Sequence, residues 1–249
     1  MKLSTAFVVS VVASLASVLP AQAQQVYNWT GFYAGVEGGA ASGRGDGLFL
    51  GDNFTRGVFT PSGNTIPESF DLSGSLLGGH VGYMTQMGGL VLGVEGAWDW
   101  SNVSGELIWN PTTTPVGKYD YSLKSLGTIN AKLGVANGRW LAYATGGFAL
   151  GSLDVSDSGV CNFPGAPIGC TFLNKGSATA VGWDAGAGIS YAATNSIIIG
   201  AEYLHVDLGS ADVSLYDTAA GNGAFYEKVR VRTALDEVKA RVSFKFGGN

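Results

Sequence analysis

Charged side chains and long apolar runs are both scarce in this chain. Only 13% of its 249 residues are charged, compared with about 25% in a typical soluble domain. The 14 Lys and Arg are outnumbered by 19 Asp and Glu, which excludes a strongly basic protein that binds nucleic acid through its charge. After the first residues, no run of about 18 apolar residues occurs. This excludes a transmembrane helix in the rest of the chain.

The first 23 residues have the pattern of a secretory signal peptide. They contain one charged residue, Lys2, then an apolar run from Ala6 to Leu19, and they end in Ala21-Gln22-Ala23. The run is too short to cross a bilayer as a helix, which takes about 20 residues, although an uncleaved membrane anchor is the alternative. We therefore predict a signal peptide at 1–23 and a single domain at 24–249.

Cysteine is also rare, with two residues, Cys161 and Cys170. Exported proteins meet an oxidising environment, so a local disulfide between these residues is predicted. A structural metal site needs about four ligands, and the two histidines, His80 and His205, lie far away in sequence. We expect no metal site and no cofactor.

Most of the remaining chain alternates between apolar and polar residues with a period of two. In the last segment, Val238, Ala240, Val242, Phe244 and Phe246 share one face, and Glu237, Lys239, Arg241, Ser243 and Lys245 share the other. Successive side chains of a strand point to opposite faces. Seven further segments behave similarly. The sequence thus predicts eight strands of about nine or more residues, which is the length a tilted strand needs to cross a bilayer.

The connections between these strands are alternately short and long. Short connections are predicted at 86–89, 136–139 and 193–195, and long ones at 43–69, 102–119, 152–177 and 209–227. Asn137-Gly138 is a strong signal for a type I′ hairpin turn. We predict an all-β fold: an eight-stranded antiparallel transmembrane up-and-down β-barrel with four long external loops and three short periplasmic turns.

The polar face of the strands favours a membrane barrel over a soluble one. In a soluble barrel this face would meet water and would be rich in Lys and Glu, but here it is mostly Gly, Ala and Ser with single charges. An eight-stranded lumen is only wide enough to be filled by side chains. Aromatic residues near strand ends match the girdles of membrane barrels: Trp29, Phe32, Tyr83, Trp98, Trp100, Trp183, Tyr191 and Tyr203.

Charged residues of the polar face are expected to meet inside this lumen. The predicted charge network comprises Glu37, Glu95, Asp184, Glu202, Lys132, Lys239 and Arg241, with Asp99, Glu237 and Lys124 nearby. Buried charges must be paired, because removing one partner costs about 3–5 kcal/mol. We interpret the network as internal salt bridges that fill and stiffen the barrel, and a proton or ion path is the alternative.

Several motifs carry a resemblance to a known family. Residues 28–35, Asn-Trp-Thr-Gly-Phe-Tyr-Ala-Gly, resemble the first motif of the alpha-proteobacterial outer-membrane immunogenic protein family, which belongs to the OmpA-like barrel superfamily. The segments 79–83, 92–96, 146–149, 182–186 and 201–204 are similar to its later blocks in the same order. The resemblance covers nearly all of the mature chain. It implies an eight-stranded barrel in a Gram-negative outer membrane, in contact with membrane lipid and lipopolysaccharide.

Three functions are compatible with these features. The preferred hypothesis is a structural envelope protein whose loops contact an external ligand or a host surface. The alternatives are a narrow pore for small solutes and a surface receptor for haem or a host molecule, using His205 or the loops at 43–69 and 152–177. Ser243 and Glu237 near a histidine could mimic a Ser-His-acid hydrolase set, but the spacing does not demand it. We expect no enzyme and no nucleic-acid partner.

Overall fold

The computed structural model describes residues 27–53, 60–61, 68–109, 117–160, 171–218 and 226–246. Regular structure in these ranges consists of ten β-strands: β1 (Gly31–Asp52), β2 (Thr60–Pro61), β3 (Glu68–Met87), β4 (Leu90–Ser101), β5 (Ser104–Trp109), β6 (Gly117–Asn137), β7 (Trp140–Val160), β8 (Thr171–Ala192), β9 (Ile197–Asp217) and β10 (Tyr226–Phe246). None of the described residues forms a helix long and apolar enough to span a bilayer.

The strands close into a ring. Each neighbouring pair is antiparallel, and β1 pairs with β10 on one side and with β3 on the other. The short strands β4 and β5 both lie between β3 and β6, so together they count as one barrel strand. The predicted eight-stranded antiparallel barrel is therefore confirmed. Closure leaves no unpaired strand edge in the lipid-facing part of the wall.

Two of the short connections are two-residue turns. Gly88 and Gly138 adopt φ of 63° and 58°, the left-handed region that glycine tolerates without strain. Asn137 is still paired with Trp140, so the central turn residues are Gly138 and Arg139 rather than Asn137 and Gly138. A glycine at the first central position is what type II′ hairpins require. The local hairpin signal was sound, but the turn lies one residue later than predicted.

The strands continue well beyond the predicted loop boundaries. Seven of the eight barrel strands are single strands of 20–22 residues, about twice the 9–11 residues that cross a bilayer. Of the predicted loop at 152–177, for example, residues 152–160 and 171–177 belong to β7 and β8. The wall therefore continues as a β-tube at the end of the barrel opposite the short turns.

The outer face of the tube changes character along its length. Near the short turns it is apolar, with exposed residues that include Phe32, Val36, Leu77, Val81, Val94, Ile129, Phe148, Val181, Ile189 and Val242. Further along the strands it carries charged pairs, such as Arg230 with Asp212 and Lys124 with Asp154. An apolar belt of about ten residues per strand matches the hydrocarbon core of a bilayer. The charged half lies outside it.

A bulge in β6 reverses the faces of the strand. The register against β7 shifts between Leu123 and Ser125. Leu123 is consequently 1% exposed and points inward, whereas Ile129 is 67% exposed and points outward. The prediction that Lys124 joins the interior charges is wrong, because its side chain is on the outer wall, 3.9 Å from Asp154. An extra residue in one strand switches every side chain beyond it to the other face.

Candidate functional site: the barrel interior

The interior is filled by three layers along the barrel axis. An aromatic and aliphatic plug lies at the short-turn end, built from Tyr27, Trp29, Tyr33, Met84, Val91, Leu141, Tyr143, Ala192 and Ile198. Charged side chains occupy the middle layer. An apolar layer follows towards the other end and includes Phe70, Leu72, Leu123, Leu126, Leu153, Leu204, Val206, Leu208, Val213, Leu215, Val229 and Leu235.

The segment that precedes β1 contributes two aromatic residues to the plug. Trp29, predicted as a girdle residue, is instead 0% exposed, and its backbone N–H donates to Gln86 Oε1 at 2.8 Å. Tyr27 packs edge-on against Trp29, with ring centroids 4.9 Å apart. Arg139 and Lys245 lie over the Tyr27 ring, at 5.6 and 4.5 Å from its centroid. These contacts hold the segment in the mouth of the barrel.

Arg241 is the centre of the charged layer. Its Nε lies 3.0 Å from Glu37 Oε2, its Nη2 lies 2.6 Å from Glu95 Oε1, and its Nη1 lies 2.6 Å from Glu202 Oε2. Lys132 Nζ reaches the same two glutamates, at 2.9 Å from Glu95 and 3.1 Å from Glu202. Five strands thus converge on one group of ion pairs, most of which are also charge-assisted hydrogen bonds, the strong class of such bonds.

Lys239 forms a second centre that shares one carboxylate with the first. Its Nζ lies 2.8 Å from Glu37 Oε1, 3.1 Å from Asp99 Oδ2 and 3.6 Å from Glu237 Oε2. Glu37 therefore bridges Lys239 and Arg241. Asp184 is also buried in the interior but makes none of these ion pairs. The structure places all seven residues of the predicted network inside the barrel and links six of them.

His80 joins the network through contacts of both its ring nitrogens. Its Nε2 lies 2.7 Å from Ser243 Oγ, and its Nδ1 lies 2.7 Å from Glu37 Oε2. Gly35 on β1 lies between His80 on β3 and Ser243 on β10. A Cβ at Gly35 would lie only 2.7 Å from His80 Nε2. The acid in this Ser-His-acid order is Glu37 rather than Glu237. A cavity of about 30 Å³ lies beside Ser243, which admits a water or two but no substrate.

His205 lies on the outer wall, near the outer edge of the apolar belt. Its Nδ1 lies 2.9 Å from Asp236 Oδ1, and Tyr203 donates its hydroxyl to the same oxygen at 2.6 Å. The two histidines of the chain therefore occupy opposite faces of the wall. Among the described residues, no three His, Cys, Asp or Glu side chains are arranged to hold a metal ion. Cys161 and Cys170 lie outside the described residues.

The sequence does not predict the apolar layer, because part of it lies in the segments predicted as loops. On β9, buried Leu204, Val206 and Leu208 are followed, after Gly209, by buried Ala211, Val213 and Leu215. Gly209 has a φ of 62°, and the bulge preserves the inward direction on either side of it. These segments do alternate with a period of two in the sequence. Their outward-facing residues are polar and their inward-facing residues are apolar, which is the reverse of the membrane-spanning part.

A pair of buried carboxyl groups lies beyond the apolar layer, in the charged half of the tube. Asp157 on β7 is 6% exposed and Glu227 on β10 is 3% exposed. Burial raises the pKa of Glu227, and the nearby charge of Asp157 raises it further. Burial also raises the pKa of Asp157. Two carboxyl groups this close cannot both ionise freely, so the pair retains a proton above the ordinary carboxyl range.

This pair predicts a pH dependence of stability. Because the folded-state pKa of Glu227 lies above its unfolded value of about 4.3, the stabilising contribution is complete below that value and declines as the pH rises. With a chelator present to remove divalent cations, the Asp157→Asn/Glu227→Gln variant should gain stability relative to the wild type as the pH increases from about 5. Urea unfolding midpoints in detergent, measured across the pH range, test this. A constant difference between the two proteins would contradict it.

Comparison with known proteins agrees with the architecture. A family model of the outer membrane protein beta-barrel domain matches residues 11–246. The 31 kDa outer-membrane immunogenic protein of Brucella melitensis is 30% identical over 251 residues, covering 98% of this chain and 94% of that protein. The 22 kDa outer membrane protein of Rhizobium leguminosarum bv. viciae is 29% identical over 199 residues, covering 78% of this chain and 70% of that protein.

The matches among solved structures are more distant in sequence. OprG from Pseudomonas aeruginosa is 12% identical with a TM-score of 0.49, covering 89% of this chain and 98% of that one. Neisserial surface protein A is 16% identical with a TM-score of 0.38, covering 87% and 98%. The predicted resemblance to the outer-membrane immunogenic proteins is confirmed by the curated relatives. The chain belongs to the outer membrane protein beta-barrel domain family and is an outer-membrane β-barrel protein.

Proposed function

We propose that the protein is a closed, structural barrel that conducts no solute and catalyses no reaction. It holds a β-tube upright above the outer membrane as a platform for contacts with external partners. The observation that carries this proposal is the three-layer filling of the interior. The plug, the charge network and the apolar layer follow one another along the axis, and each layer fills the lumen with buried side chains at its own level.

The filling argues against a pore. An ion that entered from the short-turn end would have to displace Trp29, then break ion pairs around Arg241, and then cross a layer of leucines. Moving a charge out of water into such an apolar layer is strongly unfavourable. The charge network is instead suited to a structural role, since its lysines and arginine each contact at least two carboxylates.

The placement of the histidines argues against catalysis and against a buried haem ligand. Both ring nitrogens of His80 are engaged, by Ser243 and Glu37, and the adjacent cavity is too small for a substrate. His205 is held by Asp236 on the outer wall. The Ser-His-Glu chain is therefore proposed to fasten β1, β3 and β10 together.

The outer half of the tube has the surface of a water-exposed platform. Paired charges of both signs line its outer face: Arg230 contacts Asp212 at 2.6 Å, and Arg232 contacts Asp207 at 3.0 Å. Membrane lipid and lipopolysaccharide are proposed to surround the wall below and beside this face, and the outer rim is proposed to meet an external ligand or host surface. We further propose that residues 1–23 are a cleaved signal peptide and that Cys161 and Cys170 form a disulfide; the intact mass of the exported protein tests both.

Planar-bilayer recording tests the closed barrel. Refolded wild-type protein is expected to show no discrete conductance steps, and Trp29→Ala should also remain silent because two further layers stay in place. A porin of known conductance in the same lipid shows that steps are detectable, and protease protection shows that the test protein has inserted. Reproducible unitary steps from inserted wild-type protein would contradict the proposal.

A further inference from the structure

The buried carboxyl pair in the outer half of the tube joins opposite parts of the wall. Asp157 belongs to β7 and Glu227 to β10, and two other strands, β8 and β9, separate them in the sheet. Both side chains are nevertheless buried in the interior, and their carboxyl groups interact electrostatically. The contact therefore spans the lumen rather than a strand pair, directly beyond the apolar layer.

The surroundings of this pair differ from those of the middle layer. Tyr119 donates its hydroxyl to Glu227 Oε2 at 3.4 Å. Asn174 lies opposite Asp157 in the β7–β8 register, and Asp52 lies opposite Glu227 in the β1–β10 register. Within the described part of the chain, the principal electrostatic neighbours of the pair are acidic or neutral. In the middle layer, by contrast, Lys132, Lys239 and Arg241 compensate the carboxylates.

Two polar atoms in this cluster are buried without a hydrogen-bond partner among the described residues. They are Glu227 Oε1 and Asn174 Nδ2, and Asn174 is only 1% exposed. Buried polar groups are rarely left unpaired, because each costs about 1–3 kcal/mol. A hydrated cation would satisfy both atoms: Glu227 Oε1 would act as a ligand, and Asn174 Nδ2 would donate to a water molecule of the hydration shell.

We propose that Asp157 and Glu227 bind a hydrated divalent cation of the Ca²⁺ type at this position. The available donors are oxygens of two carboxylates and a phenol, which suit a hard cation that completes its six to eight ligands with water. The bound ion neutralises the pair and links β7 to β10 across the lumen. Because it joins these two strands, the divalent cation stiffens the outer half of the tube. Cation binding at this site does not depend on whether the barrel conducts solutes.

Thermal unfolding of mature protein, refolded in detergent free of lipopolysaccharide, tests this site. Saturating Ca²⁺ should raise the wild-type Tm by roughly 5–10 °C relative to EDTA, and NaCl of equal ionic strength should not. The Asp157→Asn/Glu227→Gln variant should lose the Ca²⁺ response. The matched control Asp154→Asn/Glu106→Gln removes two exposed carboxylates of the outer wall and should keep the response.

Each other outcome overturns the proposal. No Ca²⁺ response in the folded wild type means that the pair holds only a proton. An equal response in the wild type and in Asp157→Asn/Glu227→Gln places the ion elsewhere on the protein. Calorimetric titration of Ca²⁺ into the wild type, and into the single variant Glu227→Gln if the double variant fails to fold, should show binding that the substitution weakens at least tenfold.

Discussion

The Arg241→Ala variant should unfold at a much lower urea concentration than the wild-type barrel, because its free energy of unfolding should fall by about 3–5 kcal/mol. The arginine contacts Glu37, Glu95 and Glu202 at 2.6–3.0 Å. Its removal leaves these carboxylates with one fewer compensating charge in a buried interior, where water solvates them far less well than bulk solvent does. Folded and unfolded fractions can be read from the heat-dependent migration of the barrel on SDS gels across a urea series.

Arg232→Ala is the matched control for this substitution. Arg232 lies on the same strand, but its side chain is on the outer wall and 58% exposed, paired with Asp207. Exposed ion pairs contribute little to stability, so the midpoint of this variant should stay close to that of the wild type. Equal midpoints for Arg241→Ala and Arg232→Ala would show that the charge network does not support the fold.

Val36→Arg should destabilise the membrane-inserted barrel by about 2–4 kcal/mol. Val36 lies on the outer face of β1 and is 63% exposed in the isolated chain, so in a bilayer it faces lipid. A charged side chain near the middle of the hydrocarbon core loses its hydration, and this cost falls towards the interfaces. Folding into lipid vesicles, followed by urea titration, measures the change.

Ser42→Arg tests the same strand and the same face outside the apolar belt. Ser42 is exposed and lies opposite Asp236 and Ser73, where polar side chains replace the apolar ones. The cost of this substitution should be about 0–1 kcal/mol. If Val36→Arg proved as mild as Ser42→Arg in vesicles, the position of the membrane on the barrel would have to be reconsidered.

Much of the membrane-spanning half could be predicted from local sequence. The alternation of residues such as Val238, Val242 and Phe244 with Lys239 and Arg241 specifies which side of a strand faces lipid, and this depends on no distant residue. The outer half was harder to recognise, because its inner face is apolar and its outer face is polar. The loss of the apolar outer face therefore predicts the end of a strand at positions where the strand in fact continues.

The sequence by itself determined the strand count, most of the lipid-facing side and most of the interior charges of the membrane-spanning half, because a period of two is a local property of the chain. Only the tertiary structure decided which charges meet. Ring closure brings Glu37, Glu95 and Glu202 to Arg241 from three other strands, and it brings Asp157 to Glu227 across the lumen. These contacts depend on register and on bulges such as the one after Leu123, since one extra residue reverses the face of every side chain that follows.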